Sequence, residues 1–229
     1  MFSFKKNKIV IYTAIFGDRD KLKNPLYEIK YADLICFTDN PENKNKYFKT
    51  ILREPGNSDS NRAAKKYKIL GDPIIDKYEY SIWVDGNHLL KFKDAQKVID
   101  EILIKNQEDL AFMKHPEGRD CIYQEYDFIV NKLQEKIDDL DIIKNQINKY
   151  RNEGFPENSG LIAGGFIVRR VNSPEVKKIM EAWWNEIEAN SRRDQLSFNY
   201  VIWKLKETYG NIPGLYWDNE YIKWLDHNN

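Results

Sequence analysis

Cysteine is scarce: Cys36 and Cys121 are the only two in 229 residues. That excludes a disulfide-stapled scaffold; one pairing stays open, but two thiols in a domain of ordinary size point to a reduced, cytoplasmic protein. Charge of one sign is missing too, since 36 basic residues balance 36 acidic ones. Capture of nucleic acid by a bulk field is therefore not expected, and only a local basic pocket remains open. No segment reaches the ~20 apolar residues of a membrane span. The start, MFSFKKNKIVIYTAIFG, has a short apolar run that Gly17-Asp18-Arg19-Asp20 cuts off before any signal-peptide pattern can form. The expectation is a chain without a transmembrane segment, with peripheral membrane association left open. The sequence holds no GxSxG elbow, no Walker loop, no GxGxxG and no zinc-like Cys/His spacing. Repeats and low-complexity linkers are absent as well, which predicts one domain over residues 1–229.

What is present is a globular composition, 41% hydrophobic and 31% charged, in a length suited to one core. Ile9 to Phe16 is apolar on both faces, as in a buried strand of a parallel sheet. Ala32 to Thr38 reads the same way and is closed by Asp39-Asn40-Pro41. Lys46 to Leu52 predicts a short third strand, and Asn24 to Tyr31 a short helix or loop. Ser60 or Asn61 is placed to cap a helix through Arg62, Lys65 and Leu70. Tyr78 to Val84 predicts a central strand delivering Asp85 at its carboxyl end. Asp94 to Lys105 predicts an amphipathic helix, Leu110 to Lys114 a strand, and Ile122 to Arg151 a long helical stretch with a break near Asp138-Asp139. Leu161 to Val168 predicts a glycine-containing strand. Ser173-Pro174-Glu175 opens a helix, another spans Arg193 to Lys206, and the tail from Asn211 reads as irregular. Strands alternating with helices make the chain α/β.

The chemistry-bearing feature is Trp83-Val84-Asp85-Gly86-Asn87. An acidic residue at the carboxyl edge of an open α/β sheet faces the crevice where ligands bind. Asp85 and Asn87 offer hard oxygen ligands for Mg²⁺ or Mn²⁺ on a diphosphate, with Gly86 turning the backbone between them. The same pattern also describes an ordinary strand-ending turn. His115, Glu117, Arg119 and Asp120 form a polar cluster after a predicted strand. There the Arg119 fork suits phosphate oxygens and His115 is placed to bind a ligand, the acceptor in particular.

Taken in order, KYKILGDPIIDKYEYSIWVDGN, HPEGRDCIYQE and SRRDQLSFNYV resemble the TOD/MUCI-type glycosyltransferase-like family, which is related to the GT-A glycosyltransferases. The resemblance runs from IYTAIFGDRD to at least Trp203. It implies a GT-A-like (Rossmann-like) mixed, mostly parallel sheet flanked by helices. It implies a nucleoside-diphosphate sugar donor, a uridine nucleotide favoured, held with Mn²⁺ or Mg²⁺, and a glycan, lipid-linked or small acceptor. Asp85 and Asn87 then stand where that fold keeps its metal-binding carboxylates, Asn87 departing from the pattern as a neutral ligand. Thr13, Ala14 and Phe16 fall at the strand end that approaches the nucleoside, and Asp39 where base or ribose is contacted. Arg62 and Lys65 point to the diphosphate, unless they are a solvated basic face. Asp194 and Gln195 fall beneath the donor sugar, with Asp194 either a base or a carboxylate serving the helix dipole. His227 is the candidate third metal ligand, with His88 the alternative. Gly164-Gly165 would admit a sugar close to the backbone, or would be a bulge. The implied activity is hexosyl transfer; the rivals are a metal-dependent hydrolase and a catalytically idle binding domain.

Overall fold

A computed structural model describes residues 7–18, 20–56, 59–133 and 138–227. Its core is a seven-stranded sheet in the order β3-β2-β1-β4-β7-β6-β8. The strands β1 (Ile9–Ile15), β2 (Ala32–Thr38), β3 (Lys49–Leu52) and β4 (Tyr80–Val84) run parallel. β7 (Ile162–Arg170) lies antiparallel between β4 and β6 (Leu110–Lys114), and β8 (Gly210–Asn211) pairs parallel with β6. This is the expected mixed, mostly parallel sheet.

Side-chain alternation along β1 explains why its sequence is apolar throughout. Ile9, Ile11 and Ile15 enter one core layer with Val98, Ile99 and Leu103 of the segment that begins with helix α2 (Ala95–Ile99). Val10, Tyr12 and Ala14 enter the opposite layer, against helices α1 (Ser60–Leu70) and α5 (Pro174–Ala189). A strand covered on both faces has no polar face to show. A third cluster joins α3 (Ile122–Phe128), α4 (Leu140–Asn152) and α6 (Gln195–Leu205), and stacks Tyr150 on Tyr200 at 3.7 Å between ring centroids.

Several sequence expectations need correction. The cap of α1 is Asp59, not Ser60 or Asn61; its carboxylate accepts from the backbone N–H groups of Asn61 and Arg62. The helix expected over 94–105 is α-helical only to Ile99 and then widens into a π-turn over Asp100–Ile104. The long stretch from Ile122 widens in the same way at Ile129–Leu133. Residues 134–137 lie outside the described residues. The break near Asp138-Asp139 is present, with Asp139 capping α4. The tail is less irregular than expected. Its β9 (Ile222–Trp224) pairs antiparallel with β5 (His88–Leu90), the strand that follows Asn87. Cys36 and Cys121 are both buried and free. Among the described residues, no helix is long and apolar enough to cross a membrane.

One buried polar group fixes the end of α1 to the sheet. Arg169 on β7 donates to the Ile69 carbonyl at 2.6 Å, to Ser81 Oγ at 3.1 Å and to the Tyr12 hydroxyl, which in turn donates to the Lys68 carbonyl at 3.0 Å. Replacing Arg169 by Met would leave these acceptors buried and short of a donor. The expected loss is about 3 kcal/mol in urea unfolding; a change within about 0.5 kcal/mol, the surface range, would show that the network does not hold the helix.

Candidate functional site

The carboxyl ends of β1 and β4 open onto a cavity of about 450 Å³. β4 delivers Asp85 to it, and pairing of the Asp85 N–H with the Gly165 carbonyl at 2.9 Å fixes the strand end against β7. The chain then turns, His88 N–H reaching the Asp85 carbonyl at 3.0 Å. Gly86 serves this turn through space rather than through an unusual φ. A Cβ on it would stand 3.0 Å from the Ile15 side chain and 3.3 Å from that of Asp20. The Asp85 carboxylate accepts the Trp83 indole N–H at 2.7 Å and faces the Lys68 ammonium at 3.6 Å.

Beneath Asp85 lies the strongest charge pairing of the site. Lys68 Nζ sits 2.6 Å from Asp194 Oδ2, and Lys65 Nζ 3.4 Å from Asp194 Oδ1. Lys65 also donates to the Arg192 carbonyl at 2.6 Å. Burial alone would push Asp194 up, but the two ammonium groups overcome it and hold the carboxyl well below the usual carboxylate range. Burial pulls on Lys68 as well, yet Asp194 and Asp85 keep it above its ordinary value. Lys65 fares differently: burial, reinforced by the charges of Lys68 and Arg193, brings it down to about 8. This pairing needs Gly164, because a Cβ there would stand 2.8 Å from Lys68 Nζ and 3.3 Å from Asp194 Oδ2.

Gly165 makes room in the same way for the Tyr216 hydroxyl and for His88, whose ring would be 2.7 Å from a Cβ. The two glycines fall in a bulge, since β6 pairs Phe112 with Ile167 but Met113 with Ala163. The bulge reading of the glycine pair is therefore present, and both residues also line the cavity. At its far end the Glu125 carboxylate, wholly buried, accepts from Arg119 at 2.8 Å and from Arg193 at 2.8 Å. Arg119 also pairs with Glu117 at 2.8 Å and reaches toward His115 Nε2 at 3.4 Å. Burial lowers His115 from its ordinary value.

Ten of the residues singled out in the sequence line this one cavity: Ala14, Phe16, Lys65, Asp85, Asn87, His115, Arg119, Asp194, Gln195 and His227. Three do not. Thr13 alternates to the other face of β1, where it is buried beside a second, much smaller cavity. Asp39 is exposed and accepts the Gly17 N–H at 3.1 Å, which ties the loop after β2 to the loop after β1. Arg62 binds the carbonyls of Ile187 and Asn190, so it caps the end of α5 instead of facing a ligand. Asp194 stands at the N-terminus of α6 without a side-chain cap bond to it, its carboxylate paired instead with Lys65 and Lys68. Lys68, Arg193, Asp20, Trp217 and Trp224 also line the cavity and were not assigned from sequence. A signal existed for Lys68, which stands three residues after Lys65 on the same helix face. None existed for the tail tryptophans, which reach the cavity only because β9 pairs with β5.

The metal donors are of suitable types but are not a closed cage. Asn87 gives its amide N–H to the Leu225 carbonyl at 3.3 Å, and His227 Nδ1 faces Asp20 at 2.9 Å. Among the described residues, no group of three or more His, Cys, Asp or Glu side chains is arranged to hold a metal ion. A carboxylate, a carboxamide oxygen and an imidazole fit a divalent ion whose remaining positions a ligand supplies. His88, the alternative, is buried with neither ring nitrogen hydrogen-bonded and with its ring edge-on to Tyr216, and it lines the smaller cavity, not this one.

A family profile described as "TOD1/MUCI70, glycosyltransferase-like domain" matches residues 1–225. Two Arabidopsis thaliana proteins are similar to the chain. One, "Probable hexosyltransferase MUCI70", is 25% identical over 222 residues, 84% of this chain and 37% of that protein. The other, "Alkaline ceramidase TOD1", is 25% identical over 239 residues, 86% of this chain and 48% of that protein. The chain thus spans less than half the length of either relative. Among solved structures, apo mouse xyloside xylosyltransferase 1 matches with a TM-score of 0.50 at 10% identity, covering 89% of this chain and 84% of that one. The shared architecture is the GT-A-like sheet; at that identity the likeness concerns the fold alone.

The Gly164→Ala variant tests the ion pair's dependence on backbone space. Its methyl group must displace Lys68 or Asp194, and the expected cost is about 1–3 kcal/mol of stability, read by urea unfolding. Wild-type stability would mean that the pair can shift freely.

Proposed function

The chain belongs to the TOD1/MUCI70 glycosyltransferase-like domain family, and on that premise we propose that it moves a hexose-type unit from a nucleoside-diphosphate sugar, a uridine nucleotide favoured, to a glycan, lipid-linked or small acceptor. The observation that carries the reading is the electrical balance of the cavity. Asp20, Asp85, Glu117 and Asp194 line it against Lys65, Lys68, Arg119 and Arg193. A diphosphate entering a balanced site brings uncompensated negative charge, so it is best accepted together with a divalent cation. Mn²⁺ or Mg²⁺ held by Asp85, Asn87 and His227 would act as a Lewis acid on the departing diphosphate. Asn87 is neutral, so the ion is expected to bind weakly until the nucleotide adds its own oxygens.

The remaining roles fall to the chain's own groups. Ala14 and Phe16 form the wall for the nucleoside. Lys65 offers its charge to the phosphates, and Arg119 does so from the far end. Gln195 donates its amide N–H to the Ile162 carbonyl at 3.0 Å, while its Oε1 is buried without a protein partner. That oxygen is suited to accept from a sugar hydroxyl. Asp194 lies beside it, and a carboxylate held so far below its usual range is a poor base. It orients the sugar and keeps Lys65 and Lys68 in place, and the acceptor proton leaves on a diphosphate oxygen. This is the route of a transfer with retained configuration, which needs no dedicated base.

A second reading, hydrolysis, is favoured by the name of one relative, an alkaline ceramidase. Assaying donor turnover with and without acceptors, and ceramide cleavage beside it, separates the two: transfer yields a glycoside, hydrolysis a free sugar or a free fatty acid.

Titration with uridine diphosphate tests the site. Binding is expected to require Mn²⁺ or Mg²⁺, and absence of binding with either ion would overturn the proposal. Asp85→Asn keeps an acceptor for the Trp83 indole but removes the charge. It is expected to fold normally and lose metal-dependent affinity by at least about tenfold, the equivalent of ~1.4 kcal/mol; unchanged affinity would remove Asp85 from the site.

Lys65 supplies a pH test. It is protonated below about 8 and neutral above, so affinity for the diphosphate should fall as the pH rises through and beyond that value. Lys65→Arg, charged throughout, should flatten the profile; a wild-type slope in this variant would assign the titration elsewhere.

A further inference from the structure

The chain leaves the cavity wall at Asp20 and crosses to β2 through residues 21–31 without forming a helix or a paired strand. Two side chains, Pro25 and Ile29, anchor this crossing by burial. Three of its other large residues are exposed: Leu26 is 51% exposed, Tyr27 40% and Tyr31 59%. The segment lies along residues 90–93, with Leu26 N–H on the Leu90 carbonyl and Lys30 N–H on the Lys93 carbonyl, both at 2.8 Å. Lys93 Nζ stands 4.4 Å from the centre of the Tyr27 ring. Tyr27 and Lys93 therefore share one face, and Leu26, Lys30 and Tyr31 are exposed along the same crossing.

The crossing carries an excess of positive charge in a chain whose net charge is zero. Lys21, Lys23 and Lys30 stand against Glu28 within the segment, and Lys93, followed by Asp94, adds a fourth cation. None of these four makes an ion pair among the described residues, whereas neighbouring Lys91 is paired with Asp218. Tyr31 adds a backbone observation. Its φ is +66°, a conformation that Gly or Asn takes readily and a bulky residue seldom does. The position would be easier for a smaller residue, and what tyrosine adds there is an exposed ring.

We propose that this face, built from Leu26, Tyr27 and Tyr31 with Lys23, Lys30 and Lys93, docks onto an anionic lipid surface. Lysines near a membrane gain from the anionic headgroups, tyrosine rings suit the headgroup level, and Leu26 supplies the apolar insertion that a binder reading phosphates alone would not need. The segment begins at the cavity wall and ends at the opposite, amino edge of the sheet, where β2 starts beside Ile9, so docking would lay this flank of the domain along the membrane. The inference does not depend on the transfer reaction.

Co-sedimentation with vesicles tests it, using equal parts phosphatidylcholine and phosphatidylglycerol, with pure phosphatidylcholine as control. The protein should pellet with the anionic vesicles, less so as salt rises, and remain in solution with the neutral ones. Lys23→Gln, Lys30→Gln and Lys93→Gln should each weaken binding about fivefold. The triple variant Leu26→Ser, Tyr27→Ser, Tyr31→Asn should abolish it, Asn keeping the left-handed backbone. Both variant sets should retain the wild-type circular dichroism and diphosphate affinity. A protein that stays in solution with anionic vesicles, pellets equally with neutral ones, or pellets unchanged in both variant sets overturns the proposal, whatever the nucleotide titration gives.

Discussion

The ion pair between Lys68 and Asp194 is the contact on which the site depends. It joins the last turn of α1 to the residue before α6, across the glycine bulge of β7, at 2.6 Å. A buried ion pair contributes little net stability because both charges lose their water. Its value here lies in geometry, since it fixes Lys65, Lys68, Asp85 and Gln195 around one space. The network of Arg169 with Tyr12, Ser81 and the α1 carbonyls holds the lysine end. The Trp183 indole, donating to the Asp194 carbonyl at 3.0 Å, holds the other.

Around that pair the cavity is polar in a particular way. Nearly every charge is matched within the protein, Glu125 by Arg119 and Arg193, Asp194 by Lys65 and Lys68. Matched charges cost little while the site is in water, and they remain as oriented dipoles when a ligand displaces that water. Lys65 shares Asp194 with Lys68, and burial brings it down to about 8, so an arriving anion would favour its charged form. Close packing takes part in this polarity: Gly86, Gly164 and Gly165 are small because Ile15, Lys68 and Tyr216 occupy the space a side chain would need.

Much of this was legible along the chain. Strands buried on both faces announce themselves by short apolar runs between turn signals, and β1, β2 and β6 fall within a residue or so of where the pattern puts them. Asp85 was legible because a strand end in an open α/β sheet is a place where ligands bind. The errors are also instructive. Arg62 and Lys65 look alike in sequence, three residues apart on one helix, yet one caps α5 and the other enters the cavity. Thr13 and Ala14 are neighbours on one strand, yet they face opposite layers.

What the sequence by itself determined is the alternation of buried strands and amphipathic helices, the placing of Asp85 at a strand end, and the kinship with a glycosyltransferase-like family. Those features are local, set by periodicity, capping and short ordered motifs. The tertiary structure alone decided that Lys68 meets Asp194, 126 residues away, that the tail returns as β9 to place Trp224 and His227 on the cavity wall, and that Arg62 turns to another helix. The physical reason is that an ion pair or a sheet edge selects its partner by distance in space. Local patterning says which groups need a partner, and only the packed layers decide which one is near.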